Sequence, residues 1–202
     1  MAVRLSYQQL LCLKITLHLI AIIPIALLML QVATNNAGGD PVEYIIHFTG
    51  IGALNCLIVT LLISPLAKRL KFAALMNVRR LLGLYVFFYA SLHVLAFISL
   101  DLLFDWRLFF DEVLSRPYIL LGVVNWLLLL ALAITSVSAL KTKMGRRWQS
   151  LHNSIYLVAL LAVWHFYWSL KSGWQEPLWY LLAILLLLAI RTKPGIAILS
   201  KV

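Results

Sequence analysis

Charge and cysteine are what this chain has least of. Seventeen basic and seven acidic residues make up only 12% of 202 residues, and there are two cysteines, Cys12 and Cys56. A soluble domain carries about 25% charged residues, so a single water-exposed globular domain is excluded. The two cysteines stand far apart, in no CxxC pair, inside or beside apolar stretches. That argues against a disulfide framework or a zinc ribbon and leaves them as small buried hydrophobes. No GxGxxG follows a strand pattern, so the chain has no nicotinamide site of its own. No repeat, low-complexity tract or linker is legible, and no loop is long enough to hold a soluble catalytic domain.

What the chain has instead is apolar length: 63% of its residues are hydrophobic. Runs with almost no charge cover residues 15–40, 44–67, 81–100, 117–140, 148–170 and, more briefly, 177–190. About 20 apolar residues make a membrane-spanning helix. The sequence therefore predicts an all-α, polytopic bundle of six membrane helices forming one domain over residues 1–202. The helices are expected at about 8–32, 44–67, 80–100, 117–140, 149–170 and 175–191, the last borrowing Trp174 and a snorkelling Arg191 to reach across. A cleavable signal peptide is not expected, because the first run exceeds a signal core and leads into a polar turn with Asn35, Asn36, Gly38 and Gly39.

The charges orient these spans. With both termini cytoplasmic, the inner segments hold Arg4, Lys14, Lys68, Arg69, Lys71, Arg79, Arg80, Lys141, Lys143, Arg146, Arg147, Arg191, Lys193 and Lys201. Only Arg107, Arg116 and Lys171 fall outside, in keeping with the positive-inside rule. All seven acids lie on the outer side: Asp40, Glu43, Asp101, Asp105, Asp111, Glu112 and Glu176. The formal charge of +10 is thus a topology signal, and a nucleic-acid partner has little support. Within residues 101–116 acids alternate with Phe104, Trp106, Leu108, Phe109 and Phe110, a pattern suited to a helix lying in the outer interface.

Three histidines interrupt the apolar runs. An ionisable side chain at membrane depth is costly and marks a functional site by default, and neutral imidazole is a common ligand of metals and haem iron. At 1.5 Å rise per residue, His93 lies about 12 Å from the outer edge and His165 about 9 Å from the same edge. They stand on the third and fifth runs, which point the same way, so their depths match within one helical turn. That is the geometry for two axial ligands of one haem. A lone membrane histidine can instead simply hydrogen-bond a neighbouring helix, for about 1 kcal/mol, but two at matched depth favour ligation. Zinc is disfavoured, since no Cys, Asp or Glu cluster completes a tetrahedral site.

The remaining candidates are less determined. His152 lies about 20 Å below His165, at the cytoplasmic rim, and about 140° round an ideal continuous helix from it. The position that a second histidine pair would require, fourteen residues before His93, is Arg79. His18 stands at the cytoplasmic level and could pair with His152. His47, near the outer edge, suits a haem-propionate or supporting role as well as plain hydration. Arg79, Arg80, Arg146 and Arg147 frame the cytoplasmic mouth; flanking charge explains them, and a flavin phosphate would be held by such residues. Gly50, Gly52, Gly83 and Gly122 would let a flat macrocycle approach the backbone, or serve ordinary helix packing. Trp164, Phe166, Tyr167 and Trp168 could wall a haem or form an interfacial belt.

Several segments together resemble a known family. They are Asp40-Pro41 through His47-Phe48-Thr49-Gly50; Arg79-Arg80-Leu81-Leu82-Gly83-Leu84 leading to Leu92-His93; Arg116-Pro117-Tyr118; and Gly145-Arg146-Arg147-Trp148-Gln149 with Leu151-His152-Asn153 and His165. In order and spacing, over nearly the whole chain, they resemble the ferric-reductase-like transmembrane family, which includes the membrane parts of NADPH oxidases. The nearest likeness is to its branch of haem-binding membrane subunits serving bacterial periplasmic methionine sulfoxide reductases. The resemblance implies His93, His152 and His165 as ligands, one or two haems b and a flavin mononucleotide. It further implies a place in the bacterial inner membrane, electrons from a cytosolic NAD(P)H-flavin reductase, and delivery to a molybdenum-containing periplasmic catalytic subunit. The chain departs from the oxidases' two-pair histidine pattern at Arg79.

From the residues alone, two other classes stay open: a membrane cytochrome that oxidises quinol or reduces ferric ions itself, and a haem-free membrane scaffold. An outer haem would leave half of a ~30 Å hydrocarbon core to cross, so an inner cofactor near His152 is expected if electrons pass.

Overall fold

The computed structural model describes residues 5–170 and 173–191. Arg4, Lys171, Lys193 and Lys201, which the charge count uses, lie outside the described residues. Among the described residues the fold is helical with no strand. That is the outcome expected of a backbone whose N–H and C=O groups must be satisfied within the segment in the absence of water. The chain forms two compact units, Met1–Asp105 and Trp106–Val202.

The first unit holds α1 (Tyr7–Ala33), α2 (Pro41–Arg69), a 3-10 turn (Ala73–Asn77) and α3 (Arg79–Ala96), which runs on into a π-helical turn (Phe97–Asp101). Ser6 starts α1 with a capping box: its hydroxyl accepts from the Gln9 amide and the Gln9 side chain accepts from the Ser6 amide. Asp40 caps α2, its Oδ1 accepting from the Val42 and Glu43 amides at 3.0 Å each, with Pro41 at the first helical position. Such caps satisfy amides that the helix itself leaves open. At the other end, Lys68 and Arg69 lie where the helix dipole favours cations.

α2 and α3 pack along their lengths. Leu54, Leu57 and Leu61 of α2 and Leu82 and Val86 of α3 are buried, while Val78, at the start of α3, clusters with Ile63 and Leu82. α1 is attached more sparingly. Only 6% of its most apolar stretch is buried, and Leu28 is its one buried residue. Polar clamps tie it down instead. Tyr89 donates to the Ala21 carbonyl (2.7 Å), Tyr44 donates to Gln31 (2.7 Å), and His18 and Tyr85 share a hydrogen bond at 2.6 Å. Cys12 is exposed on α1 and Cys56 half-buried on α2. The sequence reading of buried cysteines thus fails for Cys12, because α1 turns most of its surface away from its neighbours, and holds in part for Cys56.

The second unit holds α4 (Trp106–Ser115), α5 (Pro117–Ile134), α6 (Ser138–Met144), α7 (Arg146–His152), α8 (Ile155–Ser169) and α9 (Gln175–Arg191). α5 packs on α8, α8 on α9 and α4 on α5. Val158, Ala159 and Val163 of α8 are buried, as are Leu129 and Leu132 of α5 and Ile184 and Leu187 of α9. A helix does form in the segment expected to lie in the interface; Val113 is its buried residue, and Trp106, Phe110 and Leu114 are exposed. Gly145 turns the chain from α6 into α7 at φ +52°, a conformation that any Cβ would strain.

The expected span over 149–170 carries a break: α7 ends at His152 and α8 begins at Ile155. Among the described residues, four helical segments are long and apolar enough to cross a membrane, Tyr7–Ala33, Pro41–Arg69, Ala73–Asp101 and Pro117–Ile134. α8 and α9, at 15 and 17 residues, are shorter. Hydroxyls inside the spans return to their own helix: Thr49, Thr60 and Thr135 each donate to the carbonyl four residues back at 2.7 Å. Such back-bonding satisfies a group that has no water to turn to.

The α1 clamp has a measurable signature. Tyr89 lies against Gly52, where an added Cβ would meet its ring at 2.3 and 2.4 Å. Tyr89→Phe should cost about 0.5–1 kcal/mol, the range of one hydrogen bond between membrane helices. Gly52→Ala should cost more, because it displaces the whole ring. Equilibrium unfolding in mixed detergent would show the order, and equal stabilities would contradict this account of the clamp.

Candidate haem-ligand site

In each unit one helix pair holds a histidine in the same way. On α3, His93 is half-buried, and its Nδ1–H donates to the carbonyl of Ile46 on α2 at 2.8 Å. On α8, His165 is half-buried, and its Nδ1–H donates to the carbonyl of Tyr118 on α5 at 2.6 Å. A carbonyl can only accept, so in both cases the proton is on Nδ1 and the lone pair of the neutral ring is on Nε2. An imidazole that ligates a metal characteristically donates its other ring N–H to a carbonyl or carboxylate, which fixes tautomer and ring orientation. The donor chemistry of both residues therefore fits an axial haem ligand.

The likeness extends to register. Ile46, Gly50 and His93 recur as Tyr118, Gly122 and His165, each 72 positions later. The sequence reading found no repeat. The structure corrects this, because what recurs is one glycine, one histidine and a main-chain carbonyl, amid otherwise different side chains.

His152 is held differently. The Thr135 hydroxyl donates to the Ala131 carbonyl (2.7 Å), so at its 3.0 Å contact with His152 it accepts from Nε2–H. In the neutral ring the lone pair of His152 is then on Nδ1, the opposite tautomer from the other two. One face of the imidazole is stacked on Trp148, 3.9 Å between centroids and 23° between planes. Trp148 in turn donates from Nε1 to the Thr135 carbonyl (2.8 Å) and carries the Lys141 ammonium 4.8 Å from its ring centroid. Because α7 ends at His152, the 140° offset of an ideal continuous helix does not describe its bearing. His18 meets Tyr85 edge-on, with ring centroids 5.5 Å apart, in addition to their shared hydrogen bond.

His47 is exposed and lines an open depression of ≈ 320 Å³ with Ala37, Gly39, Asp40, Glu43 and Tyr44. Arg79 and Arg80 open α3, where no acidic residue occupies the first turn; Arg79 is half-buried, while Arg80 and Arg147 are exposed. Two guanidinium groups at the positive end of a helix dipole make that end strongly electropositive.

Of the two roles the sequence offered for the glycines, close packing between helices is the one seen at Gly50, Gly52 and Gly122. The Cβ positions of Gly50, Gly52 and Gly122 face His93, Tyr89 and His165 respectively, each within the glycine's own unit. They admit side chains of the neighbouring helix. Among the aromatics flanking His165, Trp164, Tyr167 and Trp168 are exposed, while Phe166 is buried and meets Tyr180 with centroids 6.1 Å apart. Sequence reasoning missed Thr135, Trp148 and Tyr85 as histidine partners. A threonine or tryptophan in an apolar helix carries no signal of what it faces.

Comparison with known proteins fits this chemistry. The profile of the family described as "Ferric reductase like transmembrane component" matches residues 49–163, a stretch that includes His93 and His152 and stops two residues short of His165. The chain belongs to that family. Over 191 residues it is 47% identical to the protein-methionine-sulfoxide reductase heme-binding subunit MsrQ of Cronobacter sakazakii, covering 94% of this chain and 96% of the relative. The same subunit of Pectobacterium carotovorum is 46% identical and that of Salmonella arizonae 44%, with the same coverage.

The hold on His152 can be tested. Thr135→Val keeps the shape of the side chain and removes the acceptor, leaving a buried N–H without its partner at a cost of about 1–3 kcal/mol. A downfield-shifted His152 ring N–H resonance in the wild type should be lost in this variant. Its persistence would show that Thr135 does not fix the ring.

Proposed function

We propose that the chain is the haem-binding membrane subunit of a methionine sulfoxide reductase system and carries electrons outward across the bacterial inner membrane. The observation that carries this reading is the twinned arrangement of His93 and His165, each with Nδ1–H on a main-chain carbonyl. The family and the name shared by its relatives support it. In this reading the chain is one membrane domain of six spans with both ends cytoplasmic. α8 reaches across with the help of α7, and α9 with the help of its flanking residues.

His93 and His165, at matched depth by their distance from the flanking charges, would hold one haem b in the outer half. Bound haem b supplies one-electron ferric–ferrous chemistry. The chain's own contribution is to present Nε2 lone pairs in fixed orientation and to exclude water with apolar helix surface. His152, with Arg79, Arg80 and Arg147, supports an inner cofactor, a second haem or FMN. There the guanidinium groups would pair with phosphate, and a cytosolic NAD(P)H-flavin reductase would supply the electrons. His18 would stand at that inner level, and His47 would serve a haem propionate or support the outer site. The electron acceptor is the periplasmic molybdenum-dependent catalytic subunit MsrP.

His93→Ala and His165→Ala should each abolish or gravely weaken the absorbance of the outer low-spin haem. If both kept wild-type spectra and haem content, the ligand assignment would be wrong. His152→Ala should slow reduction by a flavin reductase more than it alters the outer haem's spectrum; unchanged kinetics together with unchanged flavin and haem content would refute that role.

Docking should be electrostatic. The outer segments hold seven acids against three basic residues, and charge of one sign chiefly steers encounter and sets salt dependence. Electron transfer to the partner should slow as the Debye length falls from ~30 Å toward ~3 Å with added salt. Glu112 is already paired with Arg116 at 2.8 Å, so neutralising Asp111 should flatten the dependence more than neutralising Glu112. A salt-independent wild-type rate would point to apolar contacts through Trp106 and Phe110 instead.

A further inference from the structure

In both helix pairs the histidine reaches a carbonyl that belongs to a helix ladder, Ile46 in the second turn of α2 and Tyr118 in the first turn of α5, and such carbonyls are hard to reach from the side. Each already accepts the amide four residues on. Every Cα–Cβ bond tilts toward the helix N-terminus, so the side chain at i+4 stands over the carbonyl of residue i. The residue four positions after Ile46 is Gly50, and four after Tyr118 is Gly122.

The distances show what the missing side chains make room for. A Cβ on Gly50 would lie 3.1 Å from Nδ1 and 3.2 Å from Cε1 of His93. On Gly122 it would lie 2.8 Å from Cε1 and 3.1 Å from Nδ1 of His165. The atom crowded in each case is the nitrogen that makes the carbonyl hydrogen bond, or the carbon beside it. Gly83, at another point of α3, has only Thr60 Cγ2 near its Cβ position, at an ordinary 3.9 Å.

We propose that Gly50 and Gly122 are positioning residues for the two histidines: each leaves open the one path by which an imidazole can donate Nδ1–H to the carbonyl a turn earlier, and so sets the tautomer and ring orientation in which Nε2 meets the iron. The proposal rests on the reading of His93 and His165 as haem ligands. It separates these two glycines from Gly52, whose Cβ position is filled by a tyrosine that clamps α1, and from Gly83, which crowds nothing. Loss of helix propensity is not at issue, since alanine is the better helix former.

The test uses full-length haem-loaded protein in detergent, comparing Gly50→Ala, Gly122→Ala, Gly83→Ala, His93→Ala and His165→Ala. The readouts are haem per polypeptide, the resonance Raman and visible spectra, the rate of haem transfer to apomyoglobin, and thermal unfolding. Gly83→Ala should match the wild type. Gly50→Ala should keep its haem but show an altered low-spin spectrum and faster haem loss. Gly122→Ala, the tighter site, should lose haem about 10-fold faster, the scale of losing a ligand's supporting hydrogen bond.

If the Gly50 and Gly122 variants keep wild-type spectra and haem-loss rates while the histidine variants lose haem, the ligand reading stands and the positioning role is overturned. A fall in thermal stability with unchanged spectra means packing alone and also overturns it. If the histidine variants themselves keep their haem, the ligand reading fails and the positioning role falls with it. Should Gly122→Ala not fold, Gly50→Ala decides, because there the ring need yield by only a few tenths of an ångström.

Discussion

A membrane interior offers an imidazole N–H little to bond to except the main chain. Water is absent, acids stand only between spans or at their ends, and an unsatisfied polar group in hydrocarbon costs several kcal/mol. Helix carbonyls have a second lone pair, and His93 and His165 each take one. Much follows from that choice. The bond fixes the proton on Nδ1, places the lone pair on Nε2 and demands close approach to a neighbouring helix. Close approach demands a residue without a side chain at one defined position. The helix pairs α2–α3 and α5–α8 are the most extensively packed in their units, so the imidazoles sit where the scaffold is most rigid.

His152 shows the alternative. Its partner is a side-chain hydroxyl, and its ring rests on an indole. Both partners belong to the end of α5 and to α7, the irregular part of the second unit, where α6, α7 and the break before α8 succeed one another within 138–155. A hydroxyl and an indole can turn about their own bonds, whereas a helix carbonyl cannot. His152 is therefore held by adjustable groups, and His93 and His165 by fixed ones.

The physics of hydrocarbon made part of this legible in advance. Apolar run lengths gave the helical class, and counting residues to the nearest charge picked out His93 and His165 as the pair to watch, since charge and depth are both written in side-chain identity. The partners of those histidines were not legible. A carbonyl has no letter of its own, and Ile46 and Tyr118 share none of the chemistry by which a sequence is scanned. The glycines were visible but their role was left open, because a missing side chain does not say what occupies its place. The break between α7 and α8 was hidden as well: residues 153 and 154 are Asn and Ser, and neither proline nor glycine announces it. The shared register of the two units escaped for the same reason as the carbonyls. Only two of its three members are side-chain identities, and one of those is a glycine.

The same constraint bears on how the loosely packed α1 stays attached. With little buried area, α1 depends on hydroxyl and imidazole contacts, and two of these come from Tyr85 and Tyr89 on α3. Tyr85, Tyr89 and His93 are spaced four residues apart, which puts them on one face of α3 a turn apart. Along that face α3 makes polar contacts with its neighbours: His18 and Ala21 of α1 through the two tyrosines, and Ile46 of α2 through the histidine. α3 is therefore the element to which the other helices of its unit are referred, and a rotation of α3 would strain all three bonds together. The polar groups that are costly in a membrane thus supply register, and His93 inherits its orientation from the same face that anchors the first helix.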